Sequence, residues 1–161
     1  MKVLFSPLIT VLTSYVLFLH TPLMVAPGWT SEPVEYYDAA SIIAFADTLF
    51  HQGHHYRTIM EYERFIYFYP KHPEVPKAQF TIACAMKSTG NYVPALELFA
   101  SLAKEHEGTH YGIEALVQEA EIFYLMHDYP SALKHYKGFL LQYPQHQLAE
   151  KARDATEEIE K

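Results

Sequence analysis

The chain has 161 residues, half of them hydrophobic, with 13 Tyr and 10 Phe against a single Trp, and carries a formal net charge of -7. That is enough apolar material for one domain with a real core, and the acidic balance argues against nucleic acid, whose phosphates require basic surface. A lone cysteine, Cys84, excludes an internal disulfide, a thiolate metal cluster and a lipid-attachment cysteine near the start, so packing alone must hold the fold.

Residues 1–28, MKVLFSPLITVLTSYVLFLHTPLMVAPG, carry Lys2 as their only fixed side-chain charge, followed by an apolar run from Val3 to Leu19 that Ser6, Pro7, Thr10 and Ser14 interrupt. This pattern predicts an export signal cut after Gly28, or an anchor over residues 3–26 if it is retained; the run is a little short of the roughly 20 residues that span a bilayer. Glu32, Glu35 and Asp38 follow, so the basic end should stay inside and the rest of the chain should cross the membrane. The expected product is periplasmic, touching a membrane only through this segment if it is uncleaved. Residues 29–37 read as a linker.

From residue 38 the chain repeats. FIYFYPKHPEVPKA (65–78) and FLLQYPQHQLAEKA (139–152) agree at six of 14 positions across a separation of 74, and halving that interval brings further rows into register. A step of 37 relates Ala46, Ala83 and Ala120; Thr58, Ala95 and Ala132; Tyr62, Phe99 and Tyr136; and Phe65, Leu102 and Phe139. The expected units are about 38–74, 75–111 and 112–148. In the third, Ile113, Leu116, Val117, Ala120, Phe123 and Tyr124 follow the i, i+3, i+4, i+7 spacing of a helix. A turn at Gly53, Gly90 or His127 then leads to a second helix, with Asn91 and Asp128 as candidate caps and Pro94 and Pro130 in its first turn, where a missing N–H costs little. Proline disfavours helix in the residue before it, so these second helices should end before Tyr69-Pro70 and Tyr143-Pro144.

Each unit is therefore a helical hairpin that must stack on its neighbours to bury its apolar side, and the paired small residues let the two helices approach closely. Residues 146–161 read as a capping helix, with Leu148, Ala149, Ala152 and Ile159 on an apolar side and Lys151, Arg153, Asp154, Glu157, Glu158 and Glu160 on the other.

HEGTH (106–110) matches the H-E-x-x-H pattern of zinc hydrolases, in which two histidines on one helical face hold a metal beside a glutamate. The repeat step instead puts His106 and Glu107 on the slots of Tyr69-Pro70, with Gly108 and Thr109 breaking the helix. His106 and His110 should straddle a corner, so an enzyme using His106, Glu107 and His110 is the minor alternative. HQGHH, with His51, His54 and His55, should span the first turn, and Cys84 should be a small packing or groove residue. No cofactor, metal or catalytic residue is expected.

AQFTIACAMKSTGNYVPALELF (78–99) resembles the tetratricopeptide repeat (TPR), especially as found in bacterial envelope proteins of the BamD and Tol-Pal-coordinator type, and YPKHP and YPQHQ resemble their inter-repeat corner. The resemblance covers about residues 38–155. It implies an all-α, right-handed α-solenoid of three TPR-like hairpins plus a C-terminal capping helix. It also implies a non-enzymatic scaffold whose first helices line a concave groove that binds a peptide or helix of an envelope protein. Carried over by position, the lining is Ile43, Asp47, Phe50 and His51 in the first unit, then Phe80, Cys84 and Lys87, then Val117, Glu121, Tyr124 and Leu125. The two-carboxylate clamp known in this family needs Lys and Asn where this chain has Ile43, Asp47, Thr81, Glu114 and Gln118, so an acidic tail is not the expected ligand.

Overall fold

A computed structural model describes residues 38–161, and the export signal, anchor and linker expected within residues 1–37 lie outside the described residues. The described part consists of seven helices without a strand: α1 (Ala39–His51), α2 (His55–Phe68), α3 (Val75–Ser88), α4 (Tyr92–Glu105), α5 (His110–Leu125), α6 (Tyr129–Gln142) and α7 (Ala149–Ile159). Each helix packs on the next, and α3 touches both α1 and α5, which lays the first helices of the units side by side. This is the expected all-α solenoid of hairpins. No helix among the described residues is long and apolar enough to cross a membrane.

The repeat step organises the core. All twelve residues in the four rows read from the sequence are at most 2 % exposed, including the large rings of Tyr62, Phe65, Phe99 and Phe139. A fifth row, Ala78, Ala115 and Ala152, is completely buried as well. Side chains of constant size at constant spacing let each hairpin present the same surface to the next, which is how a quasi-one-dimensional stack keeps its geometry.

The turns obey the step too. Gly53 and Gly90 adopt φ of 75° and 79°, and His127 takes the same left-handed conformation at 61°, where a β-carbon is disfavoured. At the corners between units, Tyr69 (φ -128°, ψ 55°) and Tyr143 (φ -130°, ψ 56°) leave their helices in nearly the same way. In each corner a phenylalanine, the tyrosine and a histidine cluster: Phe65 and His72 have ring centres 5.3 Å apart, Phe139 and His146 6.0 Å. Asp38 and Asp128 cap their helices by accepting the N–H of Ser41 (2.9 Å) and Ser131 (3.2 Å).

Two expectations require correction. Asn91 occupies the cap position of α4 but accepts no backbone N–H there; its amide donates instead to Thr89 Oγ1 at 3.1 Å. The terminal helix starts at Ala149 rather than 146, because His146 Nδ1 accepts the N–H of Leu148 (3.3 Å) and holds residues 146–148 in the corner. In the repeat step α7 is the first helix of a fourth unit, and Glu157 stands on the slot of Ala46, Ala83 and Ala120.

Candidate functional site

Where α7 lies beside α5, the first helices part to form a cleft of about 730 Å³. Glu121, Tyr124 and Leu125 of α5 form one wall, Tyr136 of α6 the floor, and Glu150, Lys151, Asp154, Ala155 and Glu158 of α7 the other wall, with Gln147 at the corner. The neighbouring junction explains why the space opens here. Between α3 and α5, Lys87 Nζ donates to Gln118 and to Glu121 (2.8 Å), filling the gap. One step later Tyr124 stands in the slot of Lys87 and Glu158 in that of Glu121, and the tyrosine hydroxyl donates to Glu158 at 3.0 Å. The slot of Gln118, however, holds Ala155, so nothing bridges the middle.

The electrostatics of the walls differ. Burial pushes the Glu121 carboxyl up, but hydrogen bonds from Lys151 and Lys87 outweigh it and hold the group below its usual range, so Glu121 is an ionised, already satisfied acid. Tyr124 is held above the ordinary phenol value by the Glu158 carboxylate, and burial pushes Tyr136 up further. Both rings are neutral donors throughout the physiological range. Glu150 and Asp154 are exposed and have no ion-pair partner among the described residues.

The residues expected to line a groove fall into three groups. Glu121, Tyr124 and Leu125 meet at the cleft, with Leu125 44 % exposed. Asp47, Lys87, Phe50 and His51 stay on the first-helix face, but the charges are committed: Asp47 accepts from Lys77 (2.7 Å) and from the Tyr62 hydroxyl, and Lys87 is bound to Glu121. Phe50 packs on His55, with ring centres 5.9 Å apart, and His51 is exposed at the helix end. The remainder belong to packing. Val117 is completely buried in the cluster shared by α5, α6 and α7, which corrects its assignment as lining. Phe80 is half-buried with its ring 5.5 Å from those of Phe99 and Tyr111, and Ile43 packs on the buried cluster that includes Ile42, Ala46, Tyr62 and Phe65. Cys84 is half-buried, and burial pushes its thiol up to about 11, which leaves it unreactive.

Tyr136 and the whole α7 wall are missing from the sequence-derived set. The signal was available: stepping once more from Glu121 reaches Glu158.

HEGTH forms the corner between α4 and α5. His106 terminates α4, Gly108 reverses the chain at φ 75°, Thr109 Oγ1 donates to the His106 carbonyl (2.7 Å) and accepts the N–H of Gly112 (3.3 Å), and His110 opens α5. His106 lies just past the end of α4 and His110 is the first residue of α5, so the two share no helical face. HQGHH similarly spans the α1–α2 turn, and among the described residues no three metal-ligating side chains converge. Glu107→Gln is therefore expected to change neither metal content nor hydrolytic activity, and to shift stability by less than about 0.5 kcal/mol because the side chain is exposed. Stoichiometric zinc that disappears in His106→Ala would overturn this reading of the corner.

No protein-family profile and no curated protein matches this chain. Solved structures do. The chain is similar to a Podosopora anserina protein described as a kinesin light chain with nearly identical TPR-like repeats, at 12 % identity and a TM-score of 0.60, over 74 % of this chain and 64 % of that one. It is also similar to the apo form of RapI, at 17 % identity and a TM-score of 0.66, over 96 % of this chain and 57 % of that one. The chain thus spans about three fifths of the length of either structure. At such identities the likeness establishes the fold alone, and that fold is a TPR-like helical solenoid.

Proposed function

We propose that this chain is a non-enzymatic interaction scaffold that holds a peptide or helix of a partner protein against its first-helix face. The observation that carries the proposal is the cleft at α5 and α7, where exposed Leu125 and half-buried Tyr124 lie above the buried ring of Tyr136 and are rimmed by polar groups. Aromatic anchors inside a polar rim are the usual makings of an interaction hot spot. A photo-crosslinking side chain at Leu125 tests it in the native host: it should give a discrete adduct that the same group at Lys134, exposed on α6, does not give. Equal labelling at both positions would mean that the chain works through another surface.

We further propose that the scaffold is exported and serves assembly or maintenance of the cell envelope. The support is the apolar segment behind Lys2 and the resemblance of residues 78–99 to envelope TPR proteins. Terminal sequencing of the protein from its own host should find Trp29 as the first residue. An intact Met1 on a product in the cytoplasmic fraction would rule out export, whereas an intact Met1 in the inner-membrane fraction would favour the anchored form.

A further inference from the structure

Resting on the proposal that the first-helix face is the working surface, we infer that the α5–α7 cleft selects a cationic segment, one presenting lysine or arginine side chains among apolar residues. The argument begins with which charges are already spent. Lys151, the only base in the cleft wall among the described residues, is bound to Glu121, and Lys87 satisfies the same carboxylate from the other side. Neither lysine is left over to meet an incoming anion.

The acids on the opposite wall are in the reverse position. Glu150 and Asp154 have no base to pair with among the described residues, and Glu158 accepts only the neutral Tyr124 hydroxyl. All three carboxylates are on exposed residues of one helix and line the same side of the opening, while its floor is aromatic. An uncharged apolar ligand would fill the floor and leave these carboxylates unanswered. An acidic ligand would be repelled. A lysine or arginine answers both features at once, because its aliphatic stem lies on apolar surface while its head reaches the carboxylates, and the ring of Tyr124 in the cleft wall attracts the cation further. The overall charge of -7 steers such a segment toward the protein from a distance.

The test uses the full chain and dye-labelled peptides of about twelve residues built from Ala-Leu-Lys repeats, long enough to cross the cleft at roughly 3.3 Å per residue, beside Gln-for-Lys and Glu-for-Lys counterparts. Fluorescence anisotropy should rank them lysine, glutamine, glutamate, with about a tenfold step between the first two and a steep loss of the lysine peptide as salt rises. Asp154→Asn combined with Glu150→Gln should erase the preference of lysine over glutamine while leaving helical content intact; Glu97→Gln, exposed on α4, should leave it unchanged. If the lysine and glutamine peptides bind equally, and Leu125→Ala weakens both, the groove reading stands and the cationic selectivity is wrong. If neither Leu125→Ala nor the acid pair alters binding of any peptide, the groove reading itself fails. A concentration-dependent dimer that the lysine peptide does not dissociate would place a second copy of the chain in the cleft and overturn the inference.

Discussion

Gly112→Ala is expected to destabilise the protein by about 3 kcal/mol or more, although it adds a single methyl group to a helix. The corner between α4 and α5 leaves only residues 106–109 outside the helices, whereas the corners on either side leave 69–74 and 143–148. The helix therefore begins earlier in the repeat, and its first turn runs against the end of α4. A β-carbon on Gly112 would lie 2.7 Å from the carbonyl carbon of His106 and closer still to its oxygen. Both obstacles are backbone, held by the Thr109 hydroxyl and by the end of α4, so they cannot swing aside as a side chain would. Gly138→Ala gives the contrasting case, because that glycine is exposed inside α6 and its new methyl would meet nothing within 4 Å. It should stabilise by about 0.5–1 kcal/mol, the ordinary helix preference of alanine over glycine. Urea unfolding followed by helical circular dichroism measures both. A Gly112→Ala midpoint equal to that of the parent would show that the corner relaxes freely.

Ala83→Leu should be the second large effect, on the order of 2–3 kcal/mol, because overpacking a closed core forces side chains off their rotamers and pushes helices apart. Ala83 is fully buried in a cluster with Ala95, Phe99, Leu102, Ala115 and Ile122, contributed by α3, α4 and α5. A larger side chain there disturbs the α3–α4 hairpin and also the surface on which α5 stacks. Ala44→Leu, exposed on α1, controls for the substitution itself and should change stability by less than about 0.5 kcal/mol. A tolerant Ala83→Leu variant, with its midpoint unmoved, would mean that the recurring small residues do not set the helix separation.

Most of the scaffold was legible in the sequence because a stack repeats its constraints. Tyr62, Phe99 and Tyr136 face the same surroundings in three successive hairpins, and any one of them could be checked against the other two. The cleft was less legible for the opposite reason: it exists where the repetition lapses. Ala155 in place of Gln118 removes one bridging side chain, and only the fold shows that nothing else fills the gap. Val117 was misplaced by treating corresponding slots as equally exposed, which fails once α7 covers that end of α5. Asp47, Lys87 and Glu121 fall among the groove-lining positions by sequence, yet they are tied into pairs spanning 30 to 34 residues. The recurrence of Asp47–Lys77 as Glu121–Lys151 is visible in the sequence only once the first helices are known to lie side by side.

The slot occupied by Glu157 has a consequence for assembly. Solenoid units join head to tail, and such heterologous contacts need not close on themselves, so a stack with a receptive end can recruit further copies and grow into fibres. At the close-approach position where three units carry alanine, α7 carries an exposed carboxylate. A helix laid there without a base to meet it would have to strip it of water, at a cost of several kcal/mol. One acidic side chain thus disfavours a further helix at this position of α7, where alanine receives one in each of the three hairpins.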